Sequence, residues 1–157
     1  MLKCTSLAIL FFATSFALAF CQAPDYTKIK MDHLVKCSPV EDQEYSSTCW
    51  SFASSSFIEA EIYRQQGVFY DLSEMYFARK SYPKKIVTYL QSGGTIYFTP
   101  GGQFHDVLEV IKTEGAVLEK DYTGLPSGVE YHNHSTLDTL IWRYTDDLVK
   151  RKRTMPS

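Results

Sequence analysis

The sequence predicts one mainly helical domain with a few short extended segments, and three observations predict it. Apolar residues recur at helical spacing in separate runs, most cleanly as Phe104, Val107, Leu108 and Ile111 at i, i+3, i+4 and i+7. Glycine and proline punctuate the chain between those runs, at Gly67, Pro83, Gly93, Gly94, Gly101, Gly102 and Gly115. A chain of 157 residues suffices for one core of ordinary size, burying roughly 70% of the unfolded surface. A formal net charge of -2 with 45% apolar and 15% aromatic residues suits a globular protein and excludes a disordered chain or a strongly basic nucleic-acid binder.

Residues 1–19 read as a secretory signal. Lys3 precedes the run LAILFFATSFALAF, which is short for a membrane span and contains Ala17 and Ala19 in an A-x-A arrangement. Cleavage after Ala19 and export, secreted or periplasmic, are expected. The rival reading is a lipoprotein anchored through Cys21, against which the bulky Phe20 argues, so a membrane partner is expected only if Cys21 is lipidated. Without Cys4, which leaves with the signal, three cysteines remain: Cys21, Cys37 and Cys49. A pairing of Cys21 with Cys37 would leave Cys49 free, and the sequence does not decide that pairing. Residues 20–40, with Pro24 and Pro39 and no periodicity, form an extended arm with at most one short strand.

The stretch Gln43–Trp50, QEYSSTCW, puts a cysteine where loop becomes helix. Ser47 or Thr48 serves as N-cap, and Gly67 ends the helix after about five turns. Trp50, Ala53, Phe57 and Ala60, widened by Ile58 and Ile62, make the stripe expected to face the core. The first N–H groups of a helix lack intrahelical partners and carry partial positive charge, which favours a thiolate at Cys49 over a thiol. Gln43 adds a side-chain amide able to bond a developing oxyanion. A buried, inert cysteine is the competing reading of that position.

Asp71 to Glu74 opens the next helix through Met75, Tyr76 and Ala78, with Pro83 expected to interrupt it and Lys84 to Leu90 carrying on towards Gly93. TIYFTP, residues 95–100, is expected to be extended. The helix from Phe104 ends at Gly115, Ala116 to Tyr122 is extended, and Gly124 to Gly128 is a turn-rich loop. Ser135, with Asp138 three residues on, opens a last helix whose apolar face is Leu137, Leu140, Ile141, Tyr144 and Leu148. The basic run Lys150 to Arg153 is a solvated helix end, where cations suit the dipole. His132 and His134 alternate in a polar loop with no third ligand at recognisable spacing, so no metal and no cofactor are expected.

QEYSSTCWSFA resembles the active-site segment of papain-like cysteine peptidases, in which a glutamine lies six residues before a cysteine that is followed by tryptophan. Where papain and the cathepsins carry a second cysteine and a glycine just before the nucleophile, this chain has Ser46 and Ser47. DLSEMYFARKSYP and GGQFHDVLEVIKTEGAV continue a pattern similar to the bleomycin hydrolase and aminopeptidase C branch. The resemblance runs from about Cys37 to at least Leu140.

That resemblance implies an α+β papain-like fold of which this chain supplies mainly the helical lobe. Residues 41–132 would form that lobe and 133–157 a further helix with a truncated basic tail, the β-rich lobe being missing or incomplete. It implies Cys49 as nucleophile, with Gln43 and the Cys49 backbone N–H as oxyanion donors. Gly101 and Gly102 match a glycine pair whose backbone holds an extended substrate, a plain turn being the other reading of that pair. Phe104 follows at a position that could wall a substrate pocket, its helical phase equally suits the core, and the core is the preferred reading. In such enzymes an imidazole and an asparagine lie roughly 130 to 150 residues beyond the cysteine. Fewer residues follow Cys49, and none of His33, His105, His132 and His134 matches the required segment.

The expectation is therefore the amino-terminal part of an exported cysteine peptidase, with little or no turnover alone. Its substrates would be peptides or proteins, and full-length enzymes of the branch form homo-oligomeric rings. Apolar surface is expected where a second lobe would pack. Two alternatives stand beside it: a non-catalytic peptide-binding or inhibitor module with the same helical lobe, and a lipoprotein with a surface role.

Overall fold

In the computed structural model, which describes Thr27 and residues 30–154, four α-helices carry the fold. They are α1 at Cys49–Gln66, α2 at Glu74–Gln91, α3 at Phe104–Glu114 and α4 at Ser135–Thr154, with a 3-10 turn at Glu119–Asp121. The chain divides into two units, residues 1–34 and 35–157. The signal expected at 1–19 and Cys21 lie outside the described residues. In the first unit Met31 and Leu34 are exposed and residues 30–34 hold no regular structure; in the second, residues 35–40 hold none either. No described helix is long and apolar enough to cross a membrane.

The α+β expectation is corrected. Among the described residues there is no sheet, only isolated bridges between Tyr45 and Asn133 and between Leu72 and Leu118. The physical reason lies in what borders each bridge. Leu72 runs directly into the cap of α2, and Leu118 directly into the 3-10 turn, so neither extended piece continues far enough to build a ladder.

Helices α1, α2 and α3 pack on one another around Trp50, Leu72, Phe77, Ala78, Val107 and Val110. A second cluster of Tyr82, Tyr89, Phe98 and Val149 fastens α4 and the 95–100 segment to α2. That segment is unpaired, and buried Phe98 is its anchor against Tyr82.

The predicted stripe of α1 is half wrong. Trp50 and Ala60 are buried, but Ala53 and Phe57 are exposed, and the rest of the inward face is Ser51, Ser54, Ser55 and Glu59. Short hydroxyl side chains let α1 approach its neighbours closely while bonding backbone oxygens. The Ser51 hydroxyl donates to the Glu74 carbonyl at 2.8 Å and that of Ser54 to the Trp50 carbonyl at 2.6 Å. The helix ends at Gly67 as expected, with φ of 72°.

Ser73, not Asp71, caps α2, its hydroxyl accepting the Tyr76 N–H. Pro83 does not interrupt the helix, which runs on to Gln91. An internal proline costs about 3 kcal/mol, and here Pro83 faces solvent while Ser81, Tyr82 and Tyr89 of the same helix are buried, their packing offsetting that cost. Helix α3 forms as the pattern predicts. The Gln103 N–H donates to the Asp106 carboxylate at 2.8 Å at its start, and Val107 and Val110 are buried. Phe104 is not in the core and is 40% exposed.

Helix α4 buries a different face from the one predicted. Thr145 and Val149 point inward with half-buried Ile141, whereas Leu137, Leu140 and Tyr144 are exposed. The tyrosines of α2 decide the phase, since the Tyr82 and Tyr89 hydroxyls meet the carboxylates of Asp138 and Asp146 at 3.2 and 3.3 Å. At the basic end, Lys150 and Arg151 pair with Asp146 and Asp147 one turn back, as a solvated helix end should.

Candidate functional site

Cys49 is the first residue of α1 and its thiol is exposed, while Ser46, Thr48, Trp50 and Ser51 around it in sequence are all buried. The approach to it is a tight hydrogen-bonded turn. The Ser46 N–H and hydroxyl both donate to the Gln43 carbonyl, at 3.2 and 2.6 Å, and the Ser46 hydroxyl also meets that of Thr48. The Thr48 carbonyl then accepts the Ser51 N–H, closing the first turn. Gln43 is half-buried, and its Oε1 is shut off from solvent with no hydrogen-bond partner among the described residues.

Two residues of this turn, Glu44 and Ser47, have positive φ, 54° and 58°. That conformation costs roughly 1–2 kcal/mol for a residue with a Cβ. Ser47 stands where the resembled peptidases have glycine, and it keeps the left-handed backbone that glycine would adopt freely. Neighbours hold the strained turn in place. The Glu44 N–H donates to the Asp42 carboxylate, and the Glu44 carboxylate accepts the His132 N–H. The Tyr45 N–H donates to the His132 carbonyl and the His134 N–H to that of Tyr45, each at 3.1 Å. Segment 132–134 thus clamps the turn that carries Gln43.

The glycine pair lies against the same end of α1. The Trp50 indole N–H donates to the Pro100 carbonyl at 3.1 Å, and the Lys85 ammonium to the Gly101 carbonyl at 2.6 Å. Gly102 is pressed so closely on the indole that a Cβ there would lie 2.6 Å from the Trp50 ring. Glycine is therefore required at 102 by a contact within the chain. The structure brings Gln43, Cys49 and the glycine pair to one end of α1, linked through Ser46, Thr48 and Trp50.

The histidines are arranged otherwise. His105 is exposed at the start of α3, 3.7 Å from the Asp106 carboxylate. The rings of His132 and His134 are 6.1 Å apart, and the His134 Nδ1 is buried without a hydrogen-bond partner among the described residues. Burial pulls His132 below the ordinary imidazole range, opposed by the Glu44 charge and assisted by His134. Among the described residues no group of three or more potential ligands is arranged to hold a metal ion. The Cys49 thiol has no hydrogen bond or ion pair among them either.

A layer of carboxylates behind α1 was not foreseen from the sequence. Glu59, 3% exposed, accepts the Leu72 N–H at 2.7 Å and the Ser38 hydroxyl at 2.5 Å. Glu74, 5% exposed, is pushed up to about 8, first by burial, with its own backbone N–H opposing and Glu41, Glu59 and Glu119 adding repulsion. Burial likewise raises Glu119 to about 7. A cavity of about 190 Å³ opens between these acids and the Gln43 turn, lined by Glu41, Glu44, Glu74, Glu119 and His132 among others. The sequence signal existed, as serines and a glutamate on one helical face of α1, but that pattern ordinarily marks a solvent face.

No protein-family model matches the chain. In sequence it is similar to procathepsin L of Felis catus, at 27% identity over 106 residues, which make up 68% of this chain and 26% of that protein. The chain spans about a quarter of the length of that curated relative. At this coarse level the similarity supports a relation to the papain-like cysteine peptidases, and it does not reach the bleomycin hydrolase and aminopeptidase C branch.

Proposed function

We propose that Cys49 is the nucleophile of a cysteine peptidase of the aminopeptidase C type and that this chain carries the nucleophile-bearing part of its active site. The observation that carries the reading is the presentation of the thiol: Cys49 is exposed at the first turn of α1, while Ser46, Thr48, Trp50 and Ser51 around it are buried. In the reaction, the thiolate adds to a peptide carbonyl, and the oxyanion so formed accepts hydrogen bonds from the Gln43 amide and the Cys49 backbone N–H. Collapse of that intermediate expels an amine, which needs a proton from an imidazole. His33, His105, His132 and His134 match no such base, so turnover by the chain alone is expected to be negligible. Gly101 and Gly102 hold the peptide in an extended conformation by main-chain hydrogen bonds.

Cys37 provides an internal control, being a second exposed cysteine with no disulfide among the described residues. A thiol electrophile carried on a dipeptide should label Cys49 stoichiometrically and leave Cys37 largely untouched, with labelling lost in Cys49→Ala. Iodoacetamide should label both. Equal labelling of the two cysteines by the peptide reagent would refute the assignment; peptide binding without any labelling would favour a non-catalytic binding module.

A further inference from the structure

Lys85, on α2, lies where the two parts of the proposed site meet. Its ammonium donates to the Gly101 carbonyl at 2.6 Å and sits 4.4 Å from the Trp50 ring centroid and 6.0 Å from that of Tyr82. Among the described residues no carboxylate lies within ion-pair distance of it. Burial pulls its pKa below the ordinary lysine range, and the Asp106 charge acts in the opposite direction. A half-buried cation held by a ring face and a carbonyl, instead of by a carboxylate, is bound for its position.

What that position controls follows from peptide geometry. In a trans peptide the carbonyl of one residue and the N–H of the next point in opposite directions. Fixing the Gly101 carbonyl on Lys85 therefore turns the Gly102 N–H away from Lys85. Among the described residues neither the N–H nor the carbonyl of Gly102 has a hydrogen-bond partner, so both remain available to an extended chain. Trp50 supplies the second restraint through its bond to the Pro100 carbonyl and its contact with Gly102. Two glycines in sequence would otherwise rotate freely about their shared peptide.

We propose that Lys85 is a positioning residue that holds the Gly101–Gly102 peptide in the orientation needed to bind an extended substrate beside Cys49, an inference that rests on the roles proposed above. It takes no part in the reactivity of the thiol. Lys85 thereby ties substrate alignment to Trp50, the residue next to the nucleophile.

The test compares two labelling rates at Cys49 in the full chain, one for the dipeptide electrophile and one for iodoacetamide. Lys85→Met keeps the stem and removes the charge and the donors. It should slow the peptide reagent about tenfold, the loss expected for one hydrogen bond to a charged group, and leave the iodoacetamide rate within about twofold of wild type, a difference too small to signal a lost interaction of that size. Lys85→Arg, which restores a donor and a cation over the indole, should recover most of the peptide rate. If Lys85→Met does not fold, Lys85→Gln provides the same comparison. An unchanged peptide rate in the neutral variant overturns the inference, and so does a parallel fall in both rates, which would mark Lys85 as serving stability alone. A wild-type chain with no preference for the peptide reagent at Cys49 over Cys37 refutes the peptidase reading itself and takes this inference with it.

Discussion

Helices α1 and α3 lean on the same core, yet their inward faces are opposites. Helix α3 turns Val107 and Val110 inward and keeps Glu109 and Lys112 outside the core, as amphipathic periodicity requires. Helix α1 turns Ser51, Ser54, Ser55 and Glu59 inward and leaves Ala53 and Phe57 outside. The difference teaches where the two helices get their stability. Helix α3 is held by apolar burial, which is non-directional and roughly proportional to area. Helix α1 is held in large part by directional bonds, from Ser51 to Glu74 and from Glu59 to Leu72 and Ser38, with Trp50 as its main apolar anchor. Directional bonds fix rotation about the helix axis, and the helix they fix is the one that presents Cys49. Its outer face pairs Phe57 with Phe104, edge to face at 5.4 Å, leaving both rings partly in water.

The largest test of that contrast is pH. Glu74 titrates near 8 in the folded chain against an ordinary value of 4.5, so the folded state holds its proton more tightly than the unfolded state does. Its contribution to stability is complete below about pH 4.5 and is lost as pH rises through about 8, a change on the order of 5 kcal/mol. Urea unfolding between pH 5 and 8 should show stability falling, and Glu74→Gln should flatten the curve. A rise in stability over that range would remove the buried acid from the account of α1.

Exchanging the two kinds of face comes next. Glu59→Leu makes α1 more regular as an amphipathic helix, yet it leaves the buried Leu72 N–H without an acceptor and should cost about 2 kcal/mol. Val107→Ser introduces the polarity of α1 into α3 and should also cost about 2 kcal/mol, through lost apolar contact and a cavity. Denaturation midpoints of both variants decide the matter: a more stable Glu59→Leu chain would mean that the polar face is incidental. The smallest effect belongs to Phe57→Ser, which removes an exposed ring. Losing its edge-to-face contact with Phe104 should cost about 1 kcal/mol, and a loss above about 2 kcal/mol would show that the outer face of α1 is packed as closely as its inner one.

Much of the local structure around Cys49 was legible in the sequence. QEYSSTCW placed Cys49 at the start of a helix because the small polar residues before it and the periodic run after it meet there, and Gly67 and Gly115 ended their helices as glycine should. What escaped were features set by distant partners. The turn carrying Gln43 is held by His132, 88 residues from Glu44 in sequence. The continuity of α2 through Pro83 depends on the packing of Tyr82 and Tyr89, and the phase of α4 on the hydroxyls of those same tyrosines.

The sequence by itself determined that helices form, where three of the four begin to within a residue or two, and that a cysteine sits at the head of the first. Those are properties of short windows, governed by capping, periodicity and backbone preference. Only the tertiary structure decided which face of α1 is buried, that Glu74 and Glu119 behind it hold their protons to unusually high pH, and that Lys85 reaches the glycine pair. A serine or glutamate can be buried only when its partners arrive from elsewhere in the chain, and a lysine takes a fixed place only when a ring and a carbonyl are already there to receive it.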